Sequence, residues 1–216
     1  MPKSEGAAAI TGFALFLVVW FAGYGYLGAR GIFAFNPAVS FPVLPIAVLL
    51  PLIVAVVAFQ TFPALRAIAD RIPQEQLIGI QIVRLMGFAF LLLLAQSLLP
   101  PVFALPAGLG DMFVGFEAIV VARLYARRAP TAPAMALLWN ALGIVDFAVA
   151  LAIGFLASTT PFQRIHVIPS TDLITVLPLV LVPTFGVPLF LMMHGLSLRR
   201  ILAEAGAGGF ARANQS

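Results

Sequence analysis

Apolar residues run along this chain in stretches of helix length, and its polar residues collect between them. Six stretches, at about 10–29, 43–59, 77–99, 103–126, 134–157 and 173–198, are apolar enough to cross a bilayer. At about 1.5 Å rise per residue, roughly 20 residues cover the hydrocarbon layer. The pattern predicts an all-α integral membrane protein, a six-helix transmembrane bundle. Between the second and third stretches, residues 62–75 hold Arg66, Asp70, Arg71 and Glu75 and cannot span. Leu65, Ile68 and Ile72 fall on one helical face there, which predicts a short helix lying in the membrane interface, ended by Pro73. Pro100-Pro101 predicts a tight turn, so that the third and fourth spans form an antiparallel hairpin. Pro178, Pro183 and Pro188 predict kinks or local unwinding in the sixth span.

The first stretch is too long for the apolar core of a signal peptide, so it is expected to stay as a helix behind a short polar start, residues 1–9. Residues 199–216 read as a Gly/Ala-rich, charged, frayed tail. Within the first span, Gly23-Tyr-Gly-Tyr-Leu-Gly28 matches both a dinucleotide-binding and a potassium-filter pattern. The first needs a preceding strand and the second a re-entrant loop, and a full-length apolar span offers neither. Close helix packing with interfacial Tyr24 and Tyr26 accounts for it better.

Composition sharpens the class. Hydrophobic residues make up 62% of the chain, charged residues 9%, and mean hydropathy is +1.09, whereas soluble domains carry about 25% charge. The net charge of +4 does not point to nucleic acid, because the basic residues sit at the ends of spans and form no continuous patch. They act as topology signals instead. With both termini on one side, that side holds Lys3, Arg66, Arg71, Arg123, Arg127, Arg128, Arg199, Arg200 and Arg212, against Arg30 and Arg164 on the other. The positive-inside rule then puts both termini in the cytoplasm. There is no cysteine, and no motif for a metal, cofactor, serine protease or ATPase is present.

The candidate chemistry is the set of polar groups inside the spans. A charge at mid-bilayer costs about 2.5–3.5 kcal/mol on insertion scales, so Arg84, Asp111, Glu117 and Asp146 need partners. Asn140 joins them, with Gln81, Gln96 and His194 as secondary candidates. Gln81 and Arg84 share a helical face. With the hairpin treated as two α-helices, an Arg84–Glu117 ion pair is the first expectation. Gly108 and Gly115 let another backbone approach beside Asp111, and Asn140, Gly143 and Asp146 form a stripe on the fifth span. His194, near the end of the sixth stretch, is expected to cap carbonyls or meet headgroups. Three acids face one internal base, so two negative charges lack a fixed partner unless an acid takes a proton or reaches water. The surplus suits a proton carrier, a cation site or a catalytic acid; alternatively, Arg84 bridges two acids purely to hold the bundle.

The patterns Gln81-x-x-Arg84-x-x-Gly87, Pro106-Ala107-Gly108-x-Gly110-Asp111 and Trp139-Asn140-x-x-Gly143-x-x-Asp146 resemble those of a family of small uncharacterised multi-pass bacterial inner-membrane proteins. The resemblance covers roughly residues 62–200 and implies a bacterial cytoplasmic membrane, but no activity. Three functions stay open: a small transporter or proton-linked carrier, an enzyme embedded in the membrane and acting on a lipid or isoprenoid, or a structural or accessory subunit. A lipid bilayer is the expected surrounding, with a homo-oligomer or a membrane-complex partner open, and no nucleic acid.

Overall fold

In the computed structural model the described residues are 3–35 and 43–213, with side chains described for 11–35 and 43–204. The expected loop over 36–42 and the side chains of Lys3 and Arg212 lie outside them. The described residues include eight α-helices: α1 (Lys3–Ala29), α2 (Val43–Thr61), α3 (Pro63–Ala69), α4 (Gln74–Gly79), α5 (Phe88–Ala95), α6 (Pro101–Ala126), α7 (Ala132–Leu156) and α8 (Val187–Ala213). Six helical spans are long and apolar enough to cross a membrane. The protein is a multi-pass, all-α membrane bundle, with α3 as the short helix between the second and third spans.

The third span departs from a plain α-helix. Ile80–Gly87, between α4 and α5, is a 3₁₀ segment. At 3.0 residues per turn, side chains at i and i+3 eclipse, so one narrow line of side chains faces inward: Ile78, Gln81, Arg84, Gly87 and Phe90 are buried while the pairs between them are mostly exposed. The greater rise of about 2.0 Å per residue also carries Arg84 about 2 Å deeper than α-helical counting does.

The sixth span differs more from expectation. Residues 173–181 do not form a membrane helix: a 3₁₀ turn at Asp172–Thr175 is followed by turns and a π-helical turn at Val182–Gly186, and only then does α8 begin. Pro178 and Pro183 lack the N–H that an α-helix needs at those positions, and Pro188 directly follows the π-helical turn, at the start of α8. The spanning segment is Val182–Glu204, not 173–198, and α8 continues to Ala213 where a frayed tail was expected. Likewise α1 starts at Lys3, within the stretch expected to be a polar start. Gln96 leaves the list of intramembrane groups, because it caps the C-terminus of α5 and is exposed.

Two apolar layers close the bundle at either end. Toward the end bearing Arg123 and Arg200, Ile78, Val114, Ala118, Val121, Ala136, Trp139 and Ile201 pack together. Toward the Pro100 turn, Phe90, Leu99, Phe103, Ala104, Ala107 and Ile174 form the second layer. The third span and α6 contribute buried residues to both layers, α7 contributes to the first and packs Ala150 and Ile153 against the second, and the stretches between carry Gln81, Arg84, Asp111, Asn140 and Asp146. The polar groups are therefore sandwiched at mid-bundle. Outside this core, α1 docks through Trp20 and Phe21 against Phe185 on the π turn, and through Tyr24 against Phe33. Of the glycines in its Gly-Tyr-Gly run, Gly28 closes against Val180 and Leu177, whereas Gly23 and Gly25 face open space.

Candidate functional site

Arg84 is the centre of the mid-bundle layer. Its Nε donates to Asp111 Oδ1 at 2.8 Å, and Nη2 donates to Asp146 Oδ2. Nη1 donates to Gln81 Oε1 at 3.4 Å and to His194 Nε2 at 3.2 Å. Its Cζ lies 3.8 Å from the centre of the Phe147 ring, a cation–π contact that desolvation strengthens. Four donor contacts and a ring face hold the guanidinium, whose planar fork suits two carboxylates at once.

The expected Arg84–Glu117 pair does not form. Gly115 packs on the backbone at Arg84 and Leu85, so along α6 Glu117 stands about 3 Å from that crossing and Asp111 about 6 Å from it on the other side, and depth alone favours Glu117. The helix face decides between them. At about 100° per residue, Asp111 lies about 40° around α6 from Gly115, and Glu117 about 160°. Glu117 is half-buried on another flank, with no hydrogen bond or ion pair among the described residues.

His194 also corrects its expectation. Because the sixth span starts at Val182, His194 sits near its middle, fully buried, rather than near a headgroup. A chain of hydrogen bonds fixes the ring. Asn140 Nδ2 donates to the Ala136 carbonyl at 2.7 Å and to Ser197 Oγ at 2.8 Å, which turns Asn140 Oδ1 toward His194 Nδ1 at 2.8 Å. An amide oxygen only accepts, so the His194 proton is on Nδ1, leaving Nε2 to accept from Arg84. Gln74 Nε2 donates to Ser197 Oγ at 2.6 Å and extends the chain toward the Arg200 end. The Trp139 ring lies 4.8 Å from the imidazole, and its Nε1 donates to the Val114 carbonyl at 2.9 Å.

Sequence reasoning missed Gln74, Ser197, Trp139 and Phe147 as parts of this network. The signals were there: Ser197 follows His194 at i+3, and Gln74 precedes Gln81 by two helical turns, so each pair shares a face. Glycines make the room. The Asp146 carboxylate occupies the space a Cβ on Gly110 would take, and the His194 ring that of a Cβ on Gly143. The Gln81 Nε2 amide is buried without a partner.

A cavity of about 890 Å³ opens from this layer toward the Pro100-turn half of the bundle. Asp111, Phe147, Phe90, Phe103 and Ala150 line it, as does exposed Arg30. Among the described residues, Asp111 and Arg30 are the only charged ones lining it. The broken part of the sixth span forms one wall through Ile174, Thr175, Leu179, Val182 and Pro183. Rim residues Ile32, Leu49 and Val182 are exposed apolar side chains.

Residues 41–202 match the model of a family described as a domain of unknown function, DUF8737. The chain belongs to this family. The family segment contains every residue of the Arg84 network and the broken sixth span, and leaves out α1. No curated protein and no solved structure matches the chain.

Proposed function

We propose that this member of the family is a small membrane carrier that takes an apolar, lipid-like molecule into the cavity, with the polar end of the molecule against Asp111. The observation that carries the reading is the placement of the cavity: it is walled by apolar side chains, ends on one ion-paired carboxylate and is flanked by a broken span. Carriers characteristically place their sites beside discontinuous helices, because unwound backbone is tolerated in a membrane only where protein or a cavity covers it. The 3₁₀ segment bearing Arg84 supplies a second non-α element beside the site, of the kind that marks hinges. In this reading the basic end is cytoplasmic, the membrane is a bacterial cytoplasmic membrane, and the cavity opens in its outer half.

The test is to purify the full chain in lipid nanodiscs and extract bound molecules for mass spectrometry. An apolar molecule enriched over bulk lipid at near one per chain, and lost in Ala150→Phe while the thermal midpoint holds, is the expected result. No enrichment in the unmodified chain overturns the reading. An enzyme acting on a lipid or isoprenoid is the second reading, favoured by a carboxylate at the base of an apolar pocket; conversion of the extracted molecule on incubation with fresh protein selects it. A proton-linked cycle, favoured by two carboxylates on one guanidinium, is read as a pH change inside loaded vesicles.

A further inference from the structure

We infer that the molecule held in the cavity is a lipophilic organic cation, its charged centre seated at Asp111 among phenylalanine rings. The inference rests on the carrier reading and adds the charge of the cargo. Two observations meet here. The first is charge. Among the described residues Arg84 is the one cation of the mid-bundle layer, and it is bonded to two carboxylates, Asp111 and Asp146, so with both ionised the layer is one positive charge short. Both carboxylates keep some exposure, 14% and 12% of their side chains. Asp111 lines the cavity, and its Oδ2 carries no hydrogen bond among the described residues. In a low-dielectric surrounding that deficit favours a cation far more than it does in water.

The second observation is the wall. Phe33, Phe90, Phe103, Phe147, Phe155 and Phe162 all line the cavity. Aromatic rings present a negative face, and an aromatic wall beside a carboxylate recognises ammonium-type cations. A small inorganic ion is less well served, because beside Asp111 the described lining is mostly apolar and its other oxygen-bearing side chains are Ser158, Thr160 and Thr175, too few to replace a hydration shell. The other charged residue of the described lining, Arg30, is exposed, so solvent screens its charge more than that of the half-buried Asp111.

The probes are tetraphenylphosphonium and tetraphenylborate, which have nearly the same shape and opposite charge. Equilibrium dialysis of the solubilised full chain, corrected with empty micelles, is expected to give saturable phosphonium binding at least tenfold tighter than that of the borate. Asp111→Asn should remove the preference, Ala150→Phe should abolish both, and Glu117→Gln should leave binding unchanged. If Asp111→Asn does not fold, the comparison of the two probes on the unmodified chain still decides. Equal binding of the two probes, or a co-purifying molecule that is neutral or anionic, overturns the cationic cargo and leaves the carrier reading standing. Binding of neither probe, with nothing co-purifying, overturns both.

Discussion

Asp146 seats its carboxylate against Gly110, in space that a Cβ would fill. The contact ties α7 to α6 at the depth where Arg84 bridges them, so a single methyl group added there tests the geometry of the whole layer. Gly110→Ala must push Asp146 off Arg84 or spread the helices. Overpacking of this kind costs about 1–3 kcal/mol. The measurement is the thermal midpoint in detergent, with Gly195→Ala as control, since nothing lies within 4 Å of a Cβ at Gly195. Equal midpoints for the two variants would show that the carboxylate is not confined there.

Arg84 and Glu117 should behave oppositely on substitution. Arg84→Met leaves two carboxylates without their counter-charge, and removing one partner of a buried pair costs about 3–5 kcal/mol. Glu117→Gln removes a charge that has no partner among the described residues and should shift stability by no more than about 0.5 kcal/mol. Unfolding of both variants in the same detergent compares them. A Glu117→Gln loss as large as that of Arg84→Met would restore the pair expected from sequence.

The His194 ring should carry its proton on Nδ1. Nitrogen-15 NMR of histidine-labelled protein in lipid distinguishes the two ring nitrogens directly. Asn140→Leu removes the acceptor for that proton and should release the ring, giving tautomer exchange. A proton found on Nε2 in the unmodified protein would mean that Arg84 does not donate to the imidazole.

At the basic end, α3 is clamped to α8. Arg199 pairs with Asp70, and Arg200 donates to the carbonyls of Asp70 and Ile72. The hydrogen bond from Arg199, helped by the charges of Arg200 and Arg66, holds the Asp70 carboxyl below the usual carboxylate range. A carboxyl depressed on folding contributes stability above its unfolded value, about 3.9, and loses it as pH falls through the folded value. The pair is exposed, so Asp70→Asn should cost only about 0.2–1 kcal/mol at neutral pH. The difference should vanish on acidification below that range and shrink in molar salt. A difference that persists in acid would show that it does not arise from the Arg199–Asp70 ion pair.

How the candidate site came together shows where residue patterns stop informing. Arg84, Asp111, Asn140 and Asp146 were legible because charge and amide groups inside apolar runs are rare and costly. Glu117 satisfies the same criterion and stands apart. Its exclusion depends on which face of α6 meets the third span, a choice made by Gly115 and Gly108 where they let that backbone come close. His194 was misplaced because counting residues along a span assumes a continuous helix, and Pro178 and Pro183 interrupt this one. Gln96 was included for lying in an apolar run, yet the helix ends one residue before it.

The sequence by itself determined the class of molecule. Runs of apolar residues long enough for a bilayer leave no other way to satisfy their backbone than as helices, and that constraint is local, so six spans and the interfacial helix can be counted from the chain. Tertiary structure decided the pairing, the depth and the cavity. Those depend on the rise of a 3₁₀ segment, on the breaking of a helix by proline, and on glycines that open space for side chains remote in sequence. Each is set by contact between segments, and no periodicity within a single segment records it.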